Sequence, residues 1–194
     1  MILFINTCVR PQSRTLRLAN EVIKRISNGK EIHEVKPSNL PLTNDALNLR
    51  TDLIEKKDFS SKIFDDARIF AAADEIVIAA PYWDLSFPSW LKTYIEAINI
   101  NGLTFAYTED GRPYGMCKAE RLIYVTTAGG PIISDYYGYG YVKDLARLFW
   151  GIPEIRYVKA EGLDIIGADV EGILTETIKS LHCLTPFARS LPPL

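Results

Sequence analysis

Short runs of β-branched and other apolar residues alternate along this chain with longer stretches in which apolar positions recur every three or four residues. The runs at Ile2–Asn6, Ile32–Val35, Glu75–Ala80, Arg121–Thr126 and Ile155–Ala160, the last with a continuation to Leu163, predict strands. The first, third and fourth are nearly all apolar, as central strands buried on two faces should be, whereas the second is short and polar like an edge. Between them, Leu16, Ala19, Val22, Ile23 and Ile26 make a helical stripe that stops before Asn28-Gly29, a C-terminal signal. Further stripes follow at Phe59, Ile63, Ala67 and Phe70; at Trp90, Leu91, Tyr94, Ile95 and Ile98; at Val142, Leu145, Ala146 and Phe149; and at Val170, Ile173, Leu174, Ile178 and Leu181. This alternation predicts an α/β fold: a doubly wound five-stranded parallel sheet in the order 2-1-3-4-5, with helices on both faces.

Two stretches depart from the alternation. Residues Pro37–Lys57 scatter Pro, Asn, Asp and Thr around a few leucines, and a connection that long in a compact domain is expected to be a functional lid or flap. Gly102–Ala119 carries Thr104-Phe105-Ala106-Tyr107 and then Asp110-Gly111, which predicts a small hairpin before the fourth strand.

Composition narrows the class. At 194 residues and 47% hydrophobic, the chain suffices for one well-filled core, so a single domain over residues 1–194 is expected. No apolar run reaches the roughly 18 residues of a membrane span, and Met1 leads straight into a strand without a basic leader, so the reading is a cytoplasmic protein with no membrane partner. The formal charge is −2 and no basic run is present, which argues against nucleic acid. Cys8, Cys117 and Cys183 are widely spaced and only His33 and His182 accompany them, which disfavours a disulfide framework or a metal site. The neighbours His182 and Cys183 read as a surface His beside a half-buried Cys rather than as a base and nucleophile.

In an open α/β sheet a ligand sits beyond the carboxyl ends of the strands, where the strand order reverses. The loop after the first strand, Thr7-Cys8-Val9-Arg10-Pro11-Gln12-Ser13-Arg14-Thr15, opens into a helix. Its hydroxyls at Ser13 and Thr15, its helix N–H groups and the charges of Arg10 and Arg14 suit a phosphate, although Ser13 or Thr15 can equally serve as a helix cap. Neither GxGxxG nor GxxxxGK[ST] is present, so a monophosphate fits better than a pyrophosphate or triphosphate. After the third strand, Pro81-Tyr82-Trp83-Asp84-Leu85-Ser86-Phe87-Pro88 offers an aromatic platform stiffened by prolines, or else two aromatics that fill the core. After the fourth, Thr127-Ala128-Gly129-Gly130 offers glycines that permit positive φ and close approach to a ligand, or a plain tight turn. Taken together, a phosphate cradle, a flat platform and a Gly-Gly turn on one sheet suit FMN.

The sequence also resembles the FMN-dependent NAD(P)H:quinone oxidoreductases and azoreductases of flavodoxin-like fold. The resemblance is carried by Ser13-Arg14-Thr15-Leu16, Pro81-Tyr82-Trp83 with Pro88 and Leu91-Lys92, Gly102-Leu103-Thr104-Phe105-Ala106-Tyr107, Thr127-Ala128-Gly129-Gly130 and Ala160-Glu161-Gly162. It implies that Arg10, Ser13 and Thr15 bind the FMN phosphate with Arg14 in support. It further implies that Pro81, Tyr82, Trp83, Asp84 and Leu85 line one edge of the isoalloxazine, and Thr127, Ala128, Gly129 and Gly130 its other end. NAD(P)H would be the co-substrate, a quinone, azo or nitro compound the acceptor, and a homodimer the assembly. Asp84 stands where many azoreductases carry Asn.

Such a site needs no catalytic triad, because the flavin carries the redox chemistry, and the absence of a second nucleotide motif predicts a ping-pong scheme. Tyr136, among the tyrosines at 136, 137, 139 and 141, is the candidate hydrogen-bond donor to the acceptor; the cluster reads equally as an interface feature. The alternative function is a flavodoxin-type electron carrier without its own nicotinamide site. A phosphorylated receiver domain is set aside because Asn6-Thr7-Cys8 supplies no acidic residue after the first strand.

Overall fold

The computed structural model describes residues 1–38 and 40–185. Its strands are β1 (Ile2–Asn6), β2 (Ile32–Val35), β3 (Glu75–Ala79), β4 (Phe105–Tyr107), β5 (Pro113–Gly115), β6 (Arg121–Thr127) and β7 (Glu154–Ala160). Its helices are α1 (Arg14–Ile26), α2 (Asn44–Glu55), α3 (Asp65–Ala72), α4 (Ser89–Ile98), α5 (Tyr141–Leu148) and α6 (Val170–Ser180). Five strands pair in parallel in the order β2-β1-β3-β6-β7, while β4 and β5 form a separate antiparallel hairpin. Once the hairpin strands are set aside, this is the expected order 2-1-3-4-5 of a flavodoxin-like fold.

Alternation along each strand sends successive side chains to opposite faces. Leu3, Ile5, Ile76, Ile78, Leu122 and Tyr124 meet α3, α4 and α5 on one side, and Ile2, Phe4, Val77, Ala79, Ile123 and Val125 meet α1 and α6 on the other. β1 and β3 are buried along their whole length, and β2 alternates exposed and half-buried positions at the sheet edge. Helix α1 begins at Ser13, whose hydroxyl accepts the Leu16 N–H at 3.2 Å, and ends before Asn28 and Gly29, which turn the chain with positive φ.

Several expectations are corrected. The stretch 37–57, expected as a lid or flap, contains a helix that was not foreseen, α2, which buries no residue fully and touches the core through half-buried Leu53 and Ile54. Asn39 within that stretch lies outside the described residues. The stripe from Phe59 to Phe70 is split, with Lys62–Phe64 forming a 3₁₀ turn ahead of α3 and Phe59 lying before both. Strand β7 ends at Ala160 without continuing to Leu163. Cys183 is exposed rather than half-buried, on a 3₁₀ turn at Leu181–Cys183 beside exposed His182. Burial pushes the Cys117 thiol up to about 12.

The hairpin expected from Asp110-Gly111 packs its end on the chain beyond α5. A Cβ at Gly115 would lie 2.0 Å from the Gly151 backbone nitrogen, so this contact requires glycine. The buried Thr104 hydroxyl donates to the Ile98 carbonyl at 2.8 Å and accepts the Ile100 N–H at 3.0 Å, finishing the end of α4. The GxTFxY segment is therefore a structural joint.

At the amino ends of the strands, Asp74 accepts hydrogen bonds from Lys118, at 2.8 Å, and from the N-terminal ammonium. These two partners hold its carboxyl well below the ordinary 3.8, at about 2. A carboxyl depressed in the folded state stabilises above its unfolded pKa and loses that contribution as the pH falls through the folded value. Asp74→Asn is accordingly expected to lower the thermal unfolding midpoint near neutral pH, with the gap to the parent narrowing as the pH falls from 3.8 towards about 2. Thermal unfolding followed across that range checks this, and a gap independent of pH would contradict it. Among the described residues no helix is long and apolar enough to cross a membrane, and no group of three or more His, Cys, Asp or Glu is placed to hold a metal ion.

Candidate functional site

The carboxyl ends of β1, β3, β6 and β7 open onto a cleft of about 810 Å³, within the range of small-molecule sites. The loop after β1 is pinned at its root, where buried Thr7 receives no freedom: its N–H and hydroxyl both donate to the Ala79 carbonyl, at 3.0 and 2.8 Å. It then closes a tight turn through the Ser13 N–H to the Arg10 carbonyl, 3.1 Å, and enters α1.

The first turn of α1 contains no acidic residue. Leu16 N–H is taken by the Ser13 cap, and Arg17 N–H by the Ser13 carbonyl, whereas the N–H groups of Arg14 and Thr15 precede the first intrahelical bonds. Those two N–H groups, with the positive end of the helix behind them, favour an anion in the cleft. Ser13 is thus a helix cap, and its hydroxyl also hydrogen-bonds the Cys8 thiol, which partly offsets the upward push of burial on that thiol.

The three arginines here have different surroundings. Arg17 pairs with Glu171 at 2.8 Å on the outer side of α1. Arg14 donates to Asp164 Oδ1 at 2.7 Å and to the Leu163 carbonyl at 3.2 Å. The Arg10 guanidinium has no ion-pair partner among the described residues and sits exposed at the cleft wall.

Thr127, at the end of β6, joins the walls. Its carbonyl accepts the Tyr82 N–H at 3.1 Å, and its hydroxyl is 2.6 Å from the buried Thr15 hydroxyl. Pro81, Tyr82 and Trp83 form one side of the cleft and Thr127, Ala128 and Gly129 another. The Tyr82 hydroxyl donates to the Ser134 carbonyl at 3.3 Å, and Trp83 packs edge-on against Trp90 with ring centroids 6.0 Å apart. Both aromatics are half-buried, between the core and platform alternatives posed by the sequence.

Beyond Trp83 the chain turns back on itself. Trp83 and Ser86 exchange both backbone hydrogen bonds, at 3.1 and 2.7 Å, around Asp84 and Leu85 with φ of 51° and 65°. Two positive φ values define a type I′ turn, usually built with Asn or Gly, and a leucine there is strained by about 1–3 kcal/mol. Asp84 and Leu85 are exposed and do not line the cleft.

Of the residues singled out from sequence, Arg10, Ser13, Arg14, Thr15, Pro81, Tyr82, Trp83, Thr127, Ala128 and Gly129 converge on one cleft, and Asp84, Leu85 and Gly130 lie off its wall. The glycine pair works differently from the expectation. Neither Gly129 nor Gly130 has positive φ, and the space beside Gly129 is filled by Asp164, whose Oδ2 would be 2.3 Å from an added Cβ. Tyr136 is 83% exposed on a π-helical turn, Tyr136–Gly140, and also does not line the cleft. Tyr139 stacks on Tyr157 at 4.0 Å, and the Tyr157 hydroxyl donates to Asp135 at 3.0 Å, so this part of the cluster braces the loop before α5.

Sequence reasoning missed Val9, Pro11, Gln12, Leu163 and Asp164. The first three lie in a loop already singled out. The other two follow β7, and since parallel strands deliver all their carboxyl ends to one edge, that loop was a fourth place to look. Asp164 N–H donates to the Gly129 carbonyl at 2.8 Å and Leu163 N–H to the Ala128 carbonyl at 3.2 Å, so this loop is sewn to the one after β6.

The arrangement fits a flavin mononucleotide: unspent helix N–H groups, a hydroxyl and an exposed arginine suit a phosphate, and half-buried aromatics opposite backbone amides suit a flat polar ring. Comparison with known proteins agrees. A family profile described as "Flavodoxin-like fold" matches residues 1–182. The chain is 35% identical over 192 residues to FMN-dependent NADH:quinone oxidoreductase 2 of Clostridium acetobutylicum, covering 92% of this chain and 94% of that one. It is 31% identical over 189 residues to the FMN-dependent NADH:quinone oxidoreductase of Clostridium perfringens, again covering 92% and 94%. Among solved structures, an azoreductase from Bacillus anthracis superposes with a TM-score of 0.77 at 23% identity, covering 92% of this chain and 95% of that one. An FMN-dependent NADH-azoreductase from the same species, in complex with FMN, superposes with 0.73 at 20% identity, covering 92% and 96%; likeness at these identities is of fold. From the match along nearly its whole length, the chain belongs to the flavodoxin-like family of FMN-dependent NADH:quinone oxidoreductases.

Proposed function

We propose that this chain works as one domain that binds FMN non-covalently and passes two electrons from NAD(P)H to quinones or azo compounds by a ping-pong mechanism. The observation that carries the reading is the acid-free start of α1 opening into the cleft beside Arg10, which has no ion-pair partner among the described residues, with the Tyr82–Trp83 wall lining the same cleft. Bound in the cleft, FMN supplies the two-electron exchange between nicotinamide and acceptor. The Arg14 and Thr15 N–H groups, the Ser13 hydroxyl and Arg10 hold the phosphate. Pro81, Tyr82 and Trp83 position one edge of the ring, and Thr127, Ala128 and Gly129 the other. Asp84 and Leu85 sit exposed on the strained turn that follows the Trp83 wall.

A cytoplasmic homodimer accompanies this reading. All three cysteines are free, as suits a reducing compartment. Ile133, Tyr136 and Tyr137 are exposed on the loop beyond Gly130, where the Ser86 hydroxyl donates to the Tyr137 carbonyl, and exposed aromatic and apolar residues of this kind suit a subunit interface.

Initial rates over a grid of NAD(P)H and quinone concentrations are expected to give parallel double-reciprocal lines, since the oxidised nicotinamide leaves before the acceptor enters. Anaerobic mixing with NAD(P)H alone is expected to bleach the flavin no more slowly than turnover. Intersecting lines would show a ternary complex, and a flavin that stays oxidised would leave an electron carrier in place of the enzyme.

A further inference from the structure

The cleft that would receive a phosphate dianion also contains a carboxylate. Asp164 lines it together with Ser13, Arg14, Thr15 and Gly129, and its side chain is 68% exposed. One oxygen holds the Arg14 guanidinium, at 2.7 Å, and the other lies against the bare α-carbon of Gly129. A side chain at position 129 would compete for that seat, with a Cβ 2.3 Å from Asp164 Oδ2. Arg14 is consequently spent on a neighbour from the far end of the chain, although it stands in the first turn of the helix that opens into the cleft.

We propose that Asp164 sets the affinity for FMN downward, by holding Arg14 off the phosphate and by adding a negative charge beside it. The inference rests on the reading of the cleft as an FMN site. An alternative role for the Arg14–Asp164 pair is to hold the cradle together, in which case its loss would weaken binding. Other bonds already do that work. The Thr15–Thr127 hydroxyl pair at 2.6 Å, the Ser13-to-Arg10 turn at 3.1 Å and the Asp164 and Leu163 backbone bonds to Gly129 and Ala128, at 2.8 and 3.2 Å, are all independent of the Asp164 carboxylate. An exposed ion pair contributes little to stability in any case. Its electrostatic cost to an arriving dianion is therefore the larger effect, and removing the carboxylate releases a second guanidinium to bind bidentately.

The test is FMN titration of the flavin-free protein, read as quenching of flavin fluorescence, for the parent, Asp164→Asn and the double variant Arg14→Ala/Asp164→Asn, with riboflavin as the phosphate-free probe. Asp164→Asn is expected to bind FMN about fivefold more tightly or better. Riboflavin affinity is expected to stay the same, and the double variant to lose most of the gain. Unchanged or weaker FMN binding by Asp164→Asn overturns the inference, as does an equal gain for riboflavin, which would place the effect on the ring or ribityl chain. If the parent itself binds no FMN, the reading of the cleft fails and the inference falls with it; if the parent binds and the variant binds no better, the inference alone fails.

Discussion

Arg10→Ala is expected to weaken FMN binding about tenfold or more. A hydrogen bond to a charged partner contributes about 1.5–3 kcal/mol, and a tenfold change in affinity corresponds to about 1.4 kcal/mol. Arg10 is singled out because the other nearby arginines are committed, Arg14 to Asp164 and Arg17 to Glu171. Its own guanidinium has no ion-pair partner among the described residues, so its removal should leave the fold as stable as before. Equilibrium titration of the flavin-free protein, with thermal unfolding as the control, checks both parts. Arg10→Lys keeps the charge but loses the planar fork, and is expected to fall between the two. Undiminished FMN affinity in Arg10→Ala would remove the guanidinium from the cradle and leave the helix N–H groups and Ser13 to hold the phosphate alone.

The largest stability effect is expected at the opposite end of the sheet. Glu75, 1% exposed at the start of β3, receives hydrogen bonds from Lys30 at 2.6 Å and from Arg121 Nε at 2.8 Å; Arg121 is 4% exposed at the start of β6 and also donates to the Thr185 carbonyl at 3.0 Å. Glu75→Ala withdraws the buried carboxylate on which both cations converge at the base of the core. Breaking a buried pair in this way costs about 3–5 kcal/mol, far above the value of an exposed pair. Urea unfolding is expected to show a lower midpoint with an unchanged slope, because the surface exposed on unfolding stays the same. Glu75→Gln, which retains acceptor and shape while losing charge, is expected to cost less. A loss below about 1 kcal/mol for Glu75→Ala would show that the pair is solvated and gives the fold no more than a surface bridge does. The site is remote from the cleft, so flavin affinity of whatever protein remains folded should not change.

Much of the architecture is legible from local pattern, because the forces that make it are local or nearly so. β1, β3 and β6 are apolar throughout since they are buried on both faces, and β2 is polar since it is an edge; burial is written directly into residue type. The end of α1 at Asn28-Gly29 and the hairpin around Asp110-Gly111 are likewise read from residues that tolerate positive φ. α2 escaped because the signal is a stripe of buried positions, and this helix fully buries none. The Phe59 stripe overran for a related reason: a 3₁₀ turn and a helix present similar apolar spacing over one turn, and only the hydrogen bonds distinguish them.

Three of the loops that form the cleft were found from chain order, since a parallel sheet must present the ends of β1, β3 and β6 together, and the residue types in those loops already suggested a phosphate and a flat ring; the loop after β7 was missed. What the individual residues do there was decided by tertiary structure. Arg10 and Arg14 are chemically equivalent in sequence, and they differ because Asp164, 150 positions beyond Arg14, arrives at the end of β7 and takes one of them. Gly129 looked like a glycine kept for a ligand, and its missing side chain makes room for that same aspartate. Asp84 and Leu85 looked like part of the platform, and they stand exposed at the tip of a type I′ turn that does not line the cleft. Hydrophobic periodicity reports which face of an element is buried, whereas the partner of a charge depends on which distant loop the sheet brings beside it, and that follows only from the assembled fold.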